Sequence, residues 1–367
     1  MKKSIVMIGN TAWGMHKFRS DLIRDFIKSG YNVHVLAPYD LWAAEIIKTG
    51  CRFTNVNVSR KGKNPIEDFI YFLKLINIII SIKPDVVLSY TIKPVLYGTL
   101  AAWFAGIPQR IAITTGLGYV FSKNNFTGKI TKALYKVSLH FASQVWFLNS
   151  DDLNIFLEQK LVSESKVFIL PGEGVDVQHF TPQEKESDAI KFTLISRMLW
   201  DKGVGIFAEC AKELKATHPL LNFQIVGPID HGNPEGISIG VLNDWHNQGH
   251  IKYLGSTEDI RPILKETTCL VHPTYYKEGL PRILMEANSM GIPCITTDIP
   301  GCRDVIQDNI NGFLIKAKDK IALKVAIIKF LELDEEKKKL LSIAGRERIV
   351  QNFSSDRIYE IYKEKLS

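Results

Sequence analysis

Cysteine is scarce and scattered in this chain of 367 residues. Cys51, Cys210, Cys269, Cys294 and Cys302 form no CxxC pair. A disulfide framework and a zinc ribbon are thereby excluded, and reduced, structural thiols in a cytosol are predicted. Long hydrophobic runs are also missing. A membrane span needs roughly 18 consecutive apolar residues, and the nearest approach, 69–82, is broken by Lys74 and Asn77. The opening stretch holds only about five apolar residues before Asn10 and Thr11, too few for the apolar core of a signal peptide. It reads as a first buried strand. There is no internal repeat, which argues against a solenoid, and no GxGxxG, which argues against a dinucleotide cofactor. The chain has no nucleic-acid-binding motif, and nucleic acid is not expected as a partner.

What is present is ordinary globular material, 46% apolar and 23% charged, which rules out large-scale disorder. Its length exceeds what one core usually supports, so two domains are expected. The net charge of +7 is uneven. Residues 1–180 carry 21 Lys and Arg against 13 Asp and Glu, an excess of +8, so the remainder stands at −1. A basic half suits a phosphorylated substrate or an anionic bilayer surface, and equally suits a plain solvated surface.

Short apolar runs alternate with helical patterns. Residues 5–8, 33–37, 86–89, 110–113 and 144–148 read as strands, with helices over 16–29, 65–81 and 129–141. A second set of strands follows over 192–196, 222–227, 251–254, 269–272 and 294–297. Such alternation predicts βαβ units and parallel sheets, hence an α/β chain of two Rossmann-like domains. The boundary is placed in the linker after Leu170, giving domains 1–176 and 177–353 and leaving a last helix, 354–367. In doubly wound domains ligands bind beyond the carboxyl ends of the strands, so chemistry is sought in loops that follow strands.

The strongest such segment is Lys277-Glu-Gly-Leu-Pro-Arg-Ile-Leu-Met-Glu-Ala287. Pro281 suits the first turn of a helix, which sets Gly279, Leu280 and Pro281 at its N-terminus, where amide groups and the dipole favour phosphate. Glu278 precedes this helix and Glu286 lies about two turns along it; either is a solvated carboxylate or a contact to a sugar or ribose hydroxyl. A second segment, Ser196-Arg-Met-Leu-Trp-Asp-Lys-Gly203, places Arg197 and Lys202 across one turn, where two cations clamp a diphosphate or lie at the surface. Gly227 closes another strand and lets a ligand approach closely. In the first half, Gly14 and His16 follow the first strand, and Thr115, Gly116 and Gly118 follow another; these are candidates for a cleft that receives an acceptor. The stretch 69–83, apolar and dotted with lysine, is either a core helix or an interfacial one.

Taken together, Arg197 and Lys202, then Gly227, then Glu278 and Glu286 resemble the donor site of retaining glycosyltransferases of family 4, which have the GT-B fold. The likeness covers nearly the whole chain. It is most specific over 195–203, 228–234 and 272–313, whose wording resembles the branch that builds O-antigen, capsule and glycan precursors on undecaprenyl diphosphate, among them N-acetylgalactosaminyltransferases. The likeness implies two Rossmann-like domains facing a cleft, with the C-terminal helix crossing back. It implies a UDP-sugar as co-substrate, no other cofactor and no metal, with Arg197 and Lys202 on the diphosphate, Glu278 on the transferred sugar beside the amides of Gly279 and Leu280, and Glu286 on the ribose. The acceptor implied is a polyprenyl-diphosphate-linked sugar, reached from the cytoplasm at the inner face of the membrane. Two departures stand out: Gly301-Cys302 where many relatives have Gly-Gly, and Ile92 where many have His before Lys93-Pro94. The rival readings are a UDP-N-acetylglucosamine 2-epimerase of the same architecture and a nucleotide-sugar-binding protein without turnover.

Overall fold

A computed structural model describes residues 3–59, 64–116, 126–276 and 278–366, including all their side chains except those of 126 and 127. The chain divides into two units. One comprises Met1–Gly174 with Ser355–Ser367, the other Val175–Ser354.

Unit 1 begins with β1 (Ser4–Ile8), α1 (Ala12–Lys28), β2 (Asn32–Ala37), α2 (Ala43–Ile47), β3 (Arg52–Asn55), α3 (Pro65–Ile82) and β4 (Val86–Tyr90). A π-helical turn, Pro94–Gly98, then leads into α4 (Thr99–Phe104), β5 (Gln109–Thr114), α5 (Phe126–His140), β6 (Gln144–Phe147), α6 (Ser150–Glu158) and β7 (Val167–Ile169). The described strands form a parallel sheet in the order β3-β2-β1-β4-β5-β6-β7. Strands such as Val86–Tyr90 are buried along their whole length, as apolar runs of a sheet covered on both faces should be. The order reverses direction between β1 and β4, and that switch point is where such sheets open a crevice.

Unit 2 restarts the scheme with β8 (Lys191–Ile195), α7 (Val204–Thr217), β9 (Asn222–Val226), α8 (Ile239–Asn247), β10 (Lys252–Tyr253), α9 (Arg261–Lys265) and β11 (Cys269–His272). It continues through α10 (Arg282–Ser289), β12 (Cys294–Thr297), α11 (Cys302–Val305), β13 (Gly312–Ile315), α12 (Lys320–Leu331) and α13 (Glu335–Asn352). The order is β10-β9-β8-β11-β12-β13, all parallel, with its switch between β8 and β11. Apolar side chains pack on both faces of this sheet, Phe192 and Phe207 in one cluster and Leu270 and Leu284 in the other.

The last helix, α14 (Ser355–Leu366), belongs to unit 1. Tyr362 is buried there, its ring 4.9 Å from Trp146 and 5.9 Å from Phe26, its hydroxyl 3.1 Å from that of Tyr90.

Candidate active site

The loops that follow β8 and β11, the two strands at the switch point of unit 2, are drawn together by backbone bonds. The carbonyl of Asp201 accepts the amides of Tyr275 (2.8 Å) and Tyr276 (3.0 Å). Gly203 has φ +75, and a Cβ there would lie 2.1 Å from the Pro273 carbonyl oxygen. The loop after β9 joins them: Met198 donates its amide to Pro228 (3.0 Å), and Gly227, at φ +145, has so little room that a Cβ would stand 1.7 Å from the Ser196 oxygen. Both positions demand glycine.

At the centre lies Glu278. Lys202 is buried and its ammonium is hydrogen-bonded to Glu278 Oε1. His272, the last residue of β11 and also buried, places Nε2 3.2 Å from the same oxygen. Burial alone would push the Glu278 carboxyl up, but the Lys202 charge and the His272 contact outweigh it and hold the group well below the usual carboxylate range. Glu278 is therefore an anion held on one oxygen by two donors. The Lys202 ammonium also lies over the Tyr276 ring, 4.8 Å from its centroid. The Nδ1 atom of His272 and Oδ1 of Asp201 are buried and have no hydrogen-bond partner among the described residues. Cys302 packs beneath this group; burial pushes its thiol up to about 12, so it stays protonated.

Arg197 is held by a different carboxylate. Its Nη1 is 2.8 Å from Asp230 Oδ2, and Asn233 Nδ2 donates to the same oxygen (3.0 Å). Its side chain is 46% exposed, against 9% for Lys202. The two cations expected to act as one clamp are thus held by different carboxylates, one buried and one at the surface. Glu286, one of whose readings was a solvated carboxylate, is buried on α10 and accepts from Arg282 Nε at 2.9 Å. Pro281 caps α10 from an extended conformation, so Gly279, Leu280 and Pro281 do lie just ahead of its first turn, with the Leu280 side chain packed on the core.

The candidates of unit 1 fall differently. Gly14 is not in a loop but inside α1 together with His16, since the helix starts at Ala12, where Thr11 caps it by accepting the Gly14 amide at 3.0 Å. His16 stacks on Trp42, with centroids 4.9 Å apart, and its Nδ1 is 3.1 Å from Ser20 Oγ. Burial lowers its pKa. Thr115 and Gly116 directly follow β5, Gly116 with φ +132; Gly118 lies outside the described residues. Two residues of unit 2, His272 and Asp230, carry interactions that motif reading passed over. His272 was legible as a polar residue closing an apolar strand six positions before Glu278. Asp230 was legible only as an acid three residues beyond Gly227.

Among the described residues no group of three His, Cys, Asp or Glu side chains is arranged to hold a metal ion, and no helix is long and apolar enough to cross a membrane. Two family models match the chain: Glycosyl transferase 4-like over residues 4–149 and Glycosyl transferases group 1 over 177–348. The chain is 27% identical to the N,N'-diacetylbacillosaminyl-diphospho-undecaprenol alpha-1,3-N-acetylgalactosaminyltransferase of Campylobacter jejuni, over 98% of each chain. It is 26% identical to the Escherichia coli UDP-Gal:alpha-D-GlcNAc-diphosphoundecaprenol alpha-1,3-galactosyltransferase, over 81% of this chain and 80% of that one. In fold it is similar to Anabaena Alr3699/HepE in complex with UDP, with a TM-score of 0.81 at 15% identity, covering 100% of this chain and 99% of that one.

Proposed function

Since the chain belongs to the glycosyltransferases, with a 4-like first half and a group 1 second half, we propose that it moves a hexose or N-acetylhexosamine from a UDP-sugar to a saccharide on a polyprenyl diphosphate, with retention at the anomeric carbon. The relatives that match along most of this chain bear names of transferases acting on undecaprenyl-diphosphate sugars, which supports the substrate class. The lipid carrier in those names supports a place of action at the cytoplasmic face of a membrane.

The observation that carries the reading is the convergence of Lys202, His272 and Glu278 at the switch point between β8 and β11. Departure of a nucleoside diphosphate builds negative charge on its phosphate oxygens. A fixed ammonium and the N-terminus of α10 are preorganised to meet that charge. Lys202 is assigned to the phosphate of the leaving group, and Arg197 joins it by giving up part of its hold on Asp230. Glu278 uses Oε1 for its two protein donors, which leaves Oε2 for a hydroxyl of the transferred sugar. Glu286, held in place by Arg282, is assigned to the ribose, and Gly227 to the wall of the nucleotide site. The carboxylates act as ligands, so no protein base is required: the departing phosphate takes the proton of the attacking hydroxyl. Gly14, His16, Thr115 and Gly116 remain assigned to the acceptor in unit 1.

The test is UDP release by purified protein given UDP-N-acetylgalactosamine, UDP-N-acetylglucosamine, UDP-galactose or UDP-glucose, with and without a short-chain polyprenyl-diphosphate sugar. Release from one donor only when the acceptor is present is the expected result. Epimerised UDP-sugar without an acceptor, or saturable UDP-sugar binding without turnover under every acceptor, would replace the transferase reading.

A further inference from the structure

α3 has two faces, and both are apolar. Tyr71, Leu75 and Ile79, spaced by four, are buried against β1, β2 and β4. On the opposite side Ile66, Phe69, Ile70 and Leu73 recur at helical spacing, and all four are exposed, Ile66 at 70% and Phe69 at 59%. The patch does not end with the helix. Phe69 lies 6.5 Å from Phe72, Phe72 lies 5.8 Å from Phe104, and Phe104 lies 4.7 Å from Trp103. Trp103 in turn lies 4.1 Å from Phe141, which follows α5. Phe104 is itself 60% exposed. A connected line of rings thus runs from α3 over α4 to the residue after α5. A water-facing helix gains nothing from such a surface, and patches of this kind mark places of contact.

The charges around the patch say what kind of contact. Residues 64–116 and 126–141 hold seven Lys and Arg against three Asp and Glu. Lys74 and Lys83 flank the apolar row on α3, and Lys129 and Lys136 are exposed on α5. Two of the three acids are engaged within the protein, Asp68 with Lys93 and Tyr97, and Asp85 with Ser4. Glu67, the third, is in the first turn and accepts from Asn64 at 3.1 Å. Lysine is depleted from the cores of protein–protein interfaces. Around an apolar strip it suits lipid, because its stem lies along acyl chains while its ammonium reaches anionic headgroups.

We propose that the outer face of α3, extended by Trp103 and Phe104, docks on an anionic bilayer, sinking its apolar side chains among the acyl chains while the flanking lysines meet the headgroups. The proposal deepens the reading of a lipid-linked acceptor, but its own evidence is the surface of unit 1, and its test needs no turnover.

Sedimentation with vesicles decides it, using phosphatidylcholine alone and phosphatidylcholine mixed with phosphatidylglycerol. Wild-type protein should partition onto the anionic vesicles, more weakly as salt is raised. Phe69→Glu/Leu73→Glu should lower partitioning at least tenfold at every salt concentration. Lys74→Glu/Lys83→Glu should remove the preference for anionic lipid, with circular dichroism checking that both variants remain folded. Failure of the wild type to bind, or equal binding by Phe69→Glu/Leu73→Glu, overturns the proposal. So does a concentration-dependent dimer that this variant abolishes while vesicle binding persists, which would assign the patch to a second copy. A protein that releases UDP with a short-chain acceptor but ignores vesicles would sink the docking face alone. One that binds vesicles and transfers nothing would sink the transferase reading alone.

Discussion

Lys202 keeps its ammonium on Glu278 and over the Tyr276 ring with its side chain only 9% exposed. Removing one partner of a buried ion pair leaves the other charge stranded, at a cost of about 3–5 kcal/mol. Lys202→Ala should therefore lower both donor turnover, by at least about tenfold since a charge-assisted bond is worth about 1.5–3 kcal/mol, and stability. The pH dependence of the second effect identifies its source. In the wild type the Glu278 carboxyl is held low despite its burial, chiefly by Lys202. The stabilisation it contributes is complete above the ordinary glutamate value and drains away as pH falls through that value towards the depressed one. Without Lys202, burial dominates and the carboxyl titrates higher. The loss of melting temperature in Lys202→Ala should be largest near neutrality and shrink on acidification. Thermal melts of both proteins from about pH 7 to pH 4 measure it; a pH-independent difference would deny the coupling. Motif reading reached Arg197, Lys202, Glu278 and Glu286 from residue type and position after strands. It did not reach their partners. Which carboxylate holds which cation depends on side-chain direction across loops more than thirty residues apart in sequence, as with Arg197 and Asp230, and no spacing rule carries that.

At the scale of elements, long buried strands and the helices between them were legible to within a few residues because apolar period and length agree. What escaped was short: β3 reads Arg-Phe-Thr-Asn, β7 has only three residues, and β13, though apolar, has four, opened by Gly312. Each sits at the outer end of its sheet, where strand signals in sequence are weakest. The start of α1 was misplaced for a different reason. Glycine after a strand suggests a loop, yet Thr11 caps the helix and Asp40 accepts the Trp13 amide at 2.9 Å, so the helix begins before Gly14. Gly227 is the contrary case, a glycine whose role is geometric. A methyl group there would meet the Ser196 carbonyl and must push apart the loops after β8 and β9, while its φ of +145 disfavours any side chain. Gly227→Ala should weaken UDP binding at least tenfold, by spoiling the position of Arg197 and Met198. Calorimetric titration with UDP is the measurement, and unchanged affinity would show that the loops yield without consequence.

For the whole molecule, the two rounds of strands and helices announced two domains, while the allegiance of α14 was implied by the family likeness and not by its place in the sequence. It follows α13 after a break of two residues, Phe353 and Ser354, and yet completes the core of unit 1. The reason is chemical: one side of the helix carries Ile358, Ile361 and Tyr362, all buried, and Lys3 reaches the carbonyl of Leu366 at 2.8 Å. Unit 1 is therefore closed by the last residues of the chain and unit 2 is the insertion. Two units of this kind can unfold separately, so a single melting temperature is not assured. Tyr362→Ala removes a ring packed on Trp146 and Phe26 and takes one hydrogen-bond partner from the buried Tyr90 hydroxyl. Emptying such a site costs about 3–5 kcal/mol, and the loss should fall on unit 1 alone. Calorimetry should show one transition displaced downward, while UDP affinity, which the proposed function assigns to unit 2, stays within about twofold of the wild type, or roughly 0.4 kcal/mol. If the UDP affinity falls in step with stability, the donor site depends on unit 1, and the assignment of nucleotide recognition to the loops of unit 2 is incomplete.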